Sequence, residues 1–142
     1  MNFAEINWLA VIICVVVSLA VGFVWYSPKV FFNIWWKGIG KTEKDQPGMS
    51  GMGLTWTLTV LSSFIKAAAM AFMVPSLGSL MSGAPTPANG ALTGFMIWLG
   101  FVAPALLVNK LFAGHGLKIW AIEAGNHLVD LLLFGLILGA WH

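Results

Sequence analysis

Apolar residues gather in four long runs, divided by short polar or Gly/Pro-rich stretches. The first, about 6–27, carries no charge from Ile6 to Ser27. It is long enough to cross a hydrocarbon core of about 30 Å at about 1.5 Å per residue. The second, about 54–74, meets Pro75 and a Gly/Ser/Pro stretch reaching Pro87, which predicts its end. The third covers about 88–109, with Pro104 near its end, and the fourth about 117–141. The pattern predicts an all-α polytopic membrane protein, with four transmembrane helices in a single integral membrane domain, 1–142.

A short amphipathic stretch, about 29–40, follows the first run. It sets Phe31, Phe32, Trp35 and Trp36 among Lys29 and Lys37, and aromatics beside lysines suit the headgroup region. An interfacial helix is expected here, kept apart from the first span by Pro28. Trp25, Tyr26, Trp35 and Trp36 are the expected anchors at the membrane interface. A polar, Gly-containing loop, 41–53, completes the connection.

Lysine placement predicts orientation. Lys29, Lys37, Lys41 and Lys44 lie in the first connection, and Lys110 and Lys118 flank the third. The second connection and both tails have none. The positive-inside rule then puts connections one and three in the cytoplasm and both termini outside it, in a bacterial-type inner membrane. The first run reads as a retained span. Glu5 stands where a leader would carry a lysine, and no Ala-x-Ala cleavage pattern follows.

Composition narrows the class. Of 142 residues, 59% are hydrophobic and 8% charged, against about 25% charged in a soluble domain. The net charge is only +2 and every basic residue is a lysine, so no nucleic-acid partner is expected. Cys14, the one cysteine, reads as a small buried hydrophobe. No Cys/His zinc spacing is present, and neither a metal nor a cofactor is expected.

Candidate chemistry sits inside the apolar runs. Glu123, Asn126, His127 and Asp130 share a face of the fourth span. On the second, Thr55, Thr59, Ser62 and Lys66 recur at i, i+4, i+7 and i+11. Both spans start at the cytoplasmic face. By helical rise Lys66 lies about 18 Å in, Glu123 about 9 Å, His127 about 15 Å and Asp130 about 20 Å. Lys66 and Asp130 are thus expected to pair near the midplane. Beyond them both spans turn apolar, which predicts a pocket open to the cytoplasm and closed on its outer side, with no continuous pore.

Charges at bilayer depth need partners or a purpose. One lysine cannot neutralise both Glu123 and Asp130, and His127 titrates near physiological pH in an ordinary environment. The leading expectation is therefore binding or passage of a small solute, ion or proton through Lys66, Glu123, Asn126, His127, Asp130, Ser62 and Thr59. The alternative is a non-catalytic structural or interaction subunit whose buried pair only fixes helix packing. Catalysis is less well supported. Glu123-x3-His127-x2-Asp130 lacks a second ligand-bearing helix. Ser62 or Ser63 with His127 and Asp130 lacks a nucleophile elbow. His127 and His115 have no haem-attachment motif around them, and His115 between two glycines reads as a loop residue. Small-residue pairs, Ser18-x3-Gly22, Gly90-x3-Gly94 and Gly135-x3-Gly139, allow close helix packing. They serve packing within one chain or between chains. A homo-oligomer such as a dimer is expected, because four helices enclose little room.

Asn7-Trp8-Leu9-Ala10, then Trp25-Tyr26-Ser27-Pro28, then Lys37-x-x-Gly40 resemble the domain-of-unknown-function 1761 family. So does the close of the chain, Ala124-Gly125-Asn126-His127-Leu128-Val129 and Leu138-Gly139-Ala140-Trp141. The resemblance spans nearly the whole chain, and Trp-Tyr-Ser-Pro is its most specific element. It implies a small four-helix membrane protein and no activity, so no catalytic residue is carried over. The chain departs at Lys29 and Phe31-Phe32, where the family is expected to be Leu/Gly-rich. The family also suggests an internal duplication, with Gly22-Phe23-Val24 before Pro28 matching Gly100-Phe101-Val102 before Pro104. Two parallel hairpins related by an axis along the membrane normal would follow.

Overall fold

The structure, a computed structural model, describes residues 3–45 and 51–142. Part of the expected polar loop, 46–50, lies outside the described residues. Those described form helices and turns, with no strand among them. A 3₁₀ turn, Phe3–Glu5, precedes α1 (Trp8–Trp25); α2 is Phe32–Gly38 and α3 Met52–Ser82. α4 (Pro87–Ile97) runs through a π-helical turn, Trp98–Val102, into α5 (Ala103–Phe112), and α6 is Gly116–Ala140. Four of the resulting rods, Trp8–Trp25, Met52–Met81, Pro87–Phe112 and Gly116–Ala140, are long and apolar enough to cross a membrane.

Local chemistry sets the ends of α1 and α2. Asn7 caps α1, its Oδ1 accepting the Ala10 N–H at 3.1 Å. Pro28 keeps the chain from continuing, and Ser27 O collects the N–H groups of Val30 and Phe32 at 3.0 and 3.2 Å. That turn consumes residues 29–31. The second helix is therefore shorter than the expected 29–40, spanning Phe32–Gly38. Beyond it Asp45 Oδ2 accepts both the backbone N–H and the hydroxyl of Thr42 at 2.9 Å. Those bonds hold the exposed carboxyl below its ordinary range, with Lys41 adding to the effect.

Two prolines behave otherwise than expected. Pro75 does not end the second span; α3 continues through it to Ser82. Hydroxyls bond the main chain on either side, Ser76 Oγ donating to Phe72 O and Ser79 Oγ to Pro75 O, each at 2.8 Å. Both add to the ladder around Pro75, and neither of these two bonds goes to Ala71 O, the carbonyl whose i+4 donor the proline removes. The helix stops instead at Gly83, whose φ of +82° no β-carbon favours. Pro104 does not end the third span either. The ladder widens ahead of it, with Ala103 N–H bonding Trp98 O five residues back. The two Gly-Phe-Val triplets thus have different outcomes, a helix end at Trp25 and a π turn inside a continuing rod.

α6 is the central helix. In its most apolar window 44% of residues are buried, against 17–28% in the other three rods. α4 packs on it through glycines. A β-carbon on Gly90 would overlap the Gly135 carbonyl, one on Gly94 the Leu131 carbonyl and one on Gly139 the Thr86 carbonyl. Two of the three small-residue pairs are therefore occupied within the chain. On its other side α6 packs with α1 and α3 around Val11, Cys14, Met70, Val74, Leu131 and Phe134. The outward faces stay apolar: Val24, Leu54 and Phe101 are 65%, 69% and 74% exposed. An apolar exterior around small-residue contacts suits lipid as the solvent.

Candidate functional site

Asp130 joins three helices through one oxygen. Its Oδ2 accepts Ser18 Oγ from α1 at 2.7 Å and Lys66 Nζ from α3 at 2.5 Å. Ser18 Oγ also lies 3.4 Å from Ser63 Oγ. The Lys66 ammonium stands 5.3 Å over the Phe134 ring, a further favourable contact. Asp130 is 2% exposed, and the expected pairing with Lys66 is present.

The second oxygen, Oδ1, is buried and has no hydrogen-bond partner. One turn earlier on α6, Asn126 Nδ2 is likewise buried and unpartnered. Most buried polar atoms in folded proteins are satisfied, so an orphan acceptor and an orphan donor at i+4 and i mark a place. His127 is half-buried beside them and makes no hydrogen bond among the described residues.

Glu123 has its own partners, which corrects the expected surplus of negative charge. Lys110 Nζ lies 2.8 Å from Glu123 Oε2, and Trp35 Nε1 donates to Oε1 at 2.9 Å. The carboxylate thereby ties both α2 and α5 to α6. Gly38 reinforces the contact, because a β-carbon there would overlap the Ile119 side chain. Other indoles are spent on the α6 backbone, Trp25 Nε1 on Ile122 O at 2.9 Å and Trp98 Nε1 on Ala124 O at 2.7 Å. The Trp25 ring covers Gly125, its Cζ2 3.0 Å from where a β-carbon would sit. Tyr26 meets Trp35 edge-on at 5.1 Å, and Trp36 Nε1 donates to Thr42 O. These aromatics thus have an internal use: the indoles of Trp25 and Trp35 tie the turn and α2 to α6, and that of Trp36 ties α2 to the loop that follows it.

Thr59 and Ser62 do not join this cluster. Both are exposed, and the Thr59 hydroxyl bonds Thr55 O at 2.8 Å. The inward face of α3 is Ser63, Ala67, Met70 and Val74, at i, i+4, i+7 and i+11. Lys66 stands at its rim, and the expected hydroxyl stripe points away. Glu123, His127 and Asp130 do not come together as a metal-ligating group, and no other three His, Cys, Asp or Glu residues do so among the described ones. Ser63 bonds Ser18 and not His127. Sequence reasoning gave Ser18, Ser63 and Lys110 other roles and did not place them in the cluster. Ser18 was visible as the one hydroxyl of α1, and Lys110 was read only as a topological charge.

On the far side of Asp130, Met70, Val74, Phe134 and Leu138 are buried at 0–2% exposure. Beyond this apolar plug an open groove of about 470 Å³ is lined by Glu5, Pro75, Ser76, Ser79 and His142.

The four apolar rods around a buried lysine–carboxylate pair define a helical protein built for a membrane. The family described as Protein of unknown function (DUF1761) matches residues 9–139, and the chain belongs to it. No curated protein and no solved structure matches this chain.

Proposed function

We propose that this protein binds or passes a small solute, ion or proton at the Asp130 cluster, in a membrane of the bacterial inner-membrane type. The observation that carries the proposal is the half-satisfied carboxylate: Asp130 Oδ1 and Asn126 Nδ2 are buried, complementary and unpartnered. A pair kept only for packing gives no reason for the second orphan. The apolar plug on one side of Asp130 favours gated binding over an open pore. Lysine placement supports termini outside the cytoplasm, α2 at the cytoplasmic interface, and Glu123 on the cytoplasmic side of the site.

The second reading has its own support. Asp130 links α1, α3 and α6, so the cluster also serves as a structural staple. Reconstitution separates the two. Purified protein in liposomes is screened for flux of small solutes, monovalent ions and protons, and in nanodiscs for thermal stabilisation by them. Flux or stabilisation that disappears in a folded Lys66→Met/Asp130→Leu double variant supports the site. Wild-type protein that moves nothing and is stabilised by nothing leaves the staple as its role.

A further inference from the structure

We infer that the Asp130 site takes an uncharged polar solute offering one hydrogen-bond acceptor and one donor, of the primary-amide or urea class. The inference rests on the site proposed above and names its ligand. The first ground is charge balance. Lys66 is paired with Asp130 and Lys110 with Glu123, and each pair is largely buried. The cluster has no charge left over to recruit an ion. A bare cation or anion entering it would bring net charge into a low-dielectric interior, which is costly without a counter-charge.

The second ground is the pair of open valences. Asn126 Nδ2 can only donate and Asp130 Oδ1, as a carboxylate oxygen, can only accept. They belong to the same helix one turn apart, about 6 Å along its axis. A small amide matches both ends at once. Its carbonyl accepts from Asn126 while its N–H donates to Asp130. The indoles that bond α6 just before Asn126 add no competing donor, because Trp25 and Trp98 have spent their N–H groups on the Ile122 and Ala124 carbonyls. Lys66 needs no displacement, since it occupies the other carboxylate oxygen.

The test uses proteoliposomes of the full chain, with acetamide, urea, potassium and protons as probes. Stopped-flow light scattering reads neutral-solute entry, and a potential-sensitive dye and an entrapped pH dye read ion and proton entry. Thermal stabilisation in nanodiscs reads binding. Acetamide or urea is expected to enter faster than in empty liposomes and to raise the melting temperature. Asn126→Leu is expected to weaken that stabilisation about tenfold in concentration, the order of one lost buried hydrogen bond. The same variant, free of ligand, is expected to melt no lower than wild type, because it removes an unsatisfied buried donor. Should Asn126→Leu fail to fold, Asn126→Ala reads the same loss, and an amide effect surviving in the folded variant overturns the inference. Ion or proton movement without any amide effect overturns it too, while leaving the proposed site intact. Silence of all four probes, in flux and in melting alike, removes both.

Discussion

Lys110 Nζ lies 2.8 Å from Glu123 Oε2. From sequence Glu123 was a carboxylate without a counter-charge, and it is in fact the joint between α2, α5 and α6. Glu123→Gln is therefore expected to be far from silent. It leaves Lys110 charged and largely buried without its partner, at a cost of roughly 2 kcal/mol. Lys110→Met together with Glu123→Gln should recover part of that loss. Melting of the two single variants and the double variant checks it, and strictly additive shifts would show that the residues are not coupled.

The Lys66–Asp130 pair makes a stronger version of the same prediction. Lys66→Met strands a carboxylate that is 2% exposed, and breaking such a pair costs about 3–5 kcal/mol. Lys66→Met with Asp130→Leu removes both charges and should regain most of it. Equal instability of the single and double variants would contradict the pairing.

Close packing of α4 on α6 is tested at Gly135. Its β-carbon would overlap the Gly90 carbonyl, a backbone atom that moves only with its helix. Gly135→Ala is expected to lower stability by about 1–3 kcal/mol through overpacking. Gly22→Ala is the contrast, since nothing lies within 4 Å of that position. It should leave melting unchanged or slightly raised, by up to about 1 kcal/mol of helix propensity. Equal losses at both positions would mean that the glycine contact is not what limits the approach.

Orientation is tested with single cysteines in a Cys14→Ala background. An impermeant thiol reagent applied outside intact cells should label a cysteine at Ala84, in the connection between α3 and α4, and should spare one at Lys44. The opposite pattern would invert the proposed topology and put Glu123 on the outer side.

How much of this was legible beforehand differs by kind. Hydropathy alone marked the four rods, because a run of some 20 apolar residues has few other uses. Helical rise alone brought Lys66 and Asp130 to one depth, and the structure pairs them. Family membership was legible in Trp25-Tyr26-Ser27-Pro28 and the C-terminal pattern. Depth, however, is a one-dimensional quantity. It says nothing of how each helix is rotated about its axis or which helix lies beside it.

That rotation was left to the tertiary structure for a physical reason. In a soluble protein the polar face of a helix turns outward and reveals its phase. Here lipid and core are equally apolar, so the sequence of α3 gives little sign of which side packs. Ser63 turned inward and Ser62 outward although they are neighbours. Likewise Lys110 and Glu123 lie on different helices, and only packing decided that they meet. Proline was also ambiguous by itself: Pro75 and Pro104 both pass inside continuing rods, Pro104 behind a π turn that widens the ladder. The sequence by itself determined the rods, the shared level of Lys66 and Asp130 along them, and the family. Only the tertiary structure decided the partners of those charges, because only packing sets helix neighbours and phase.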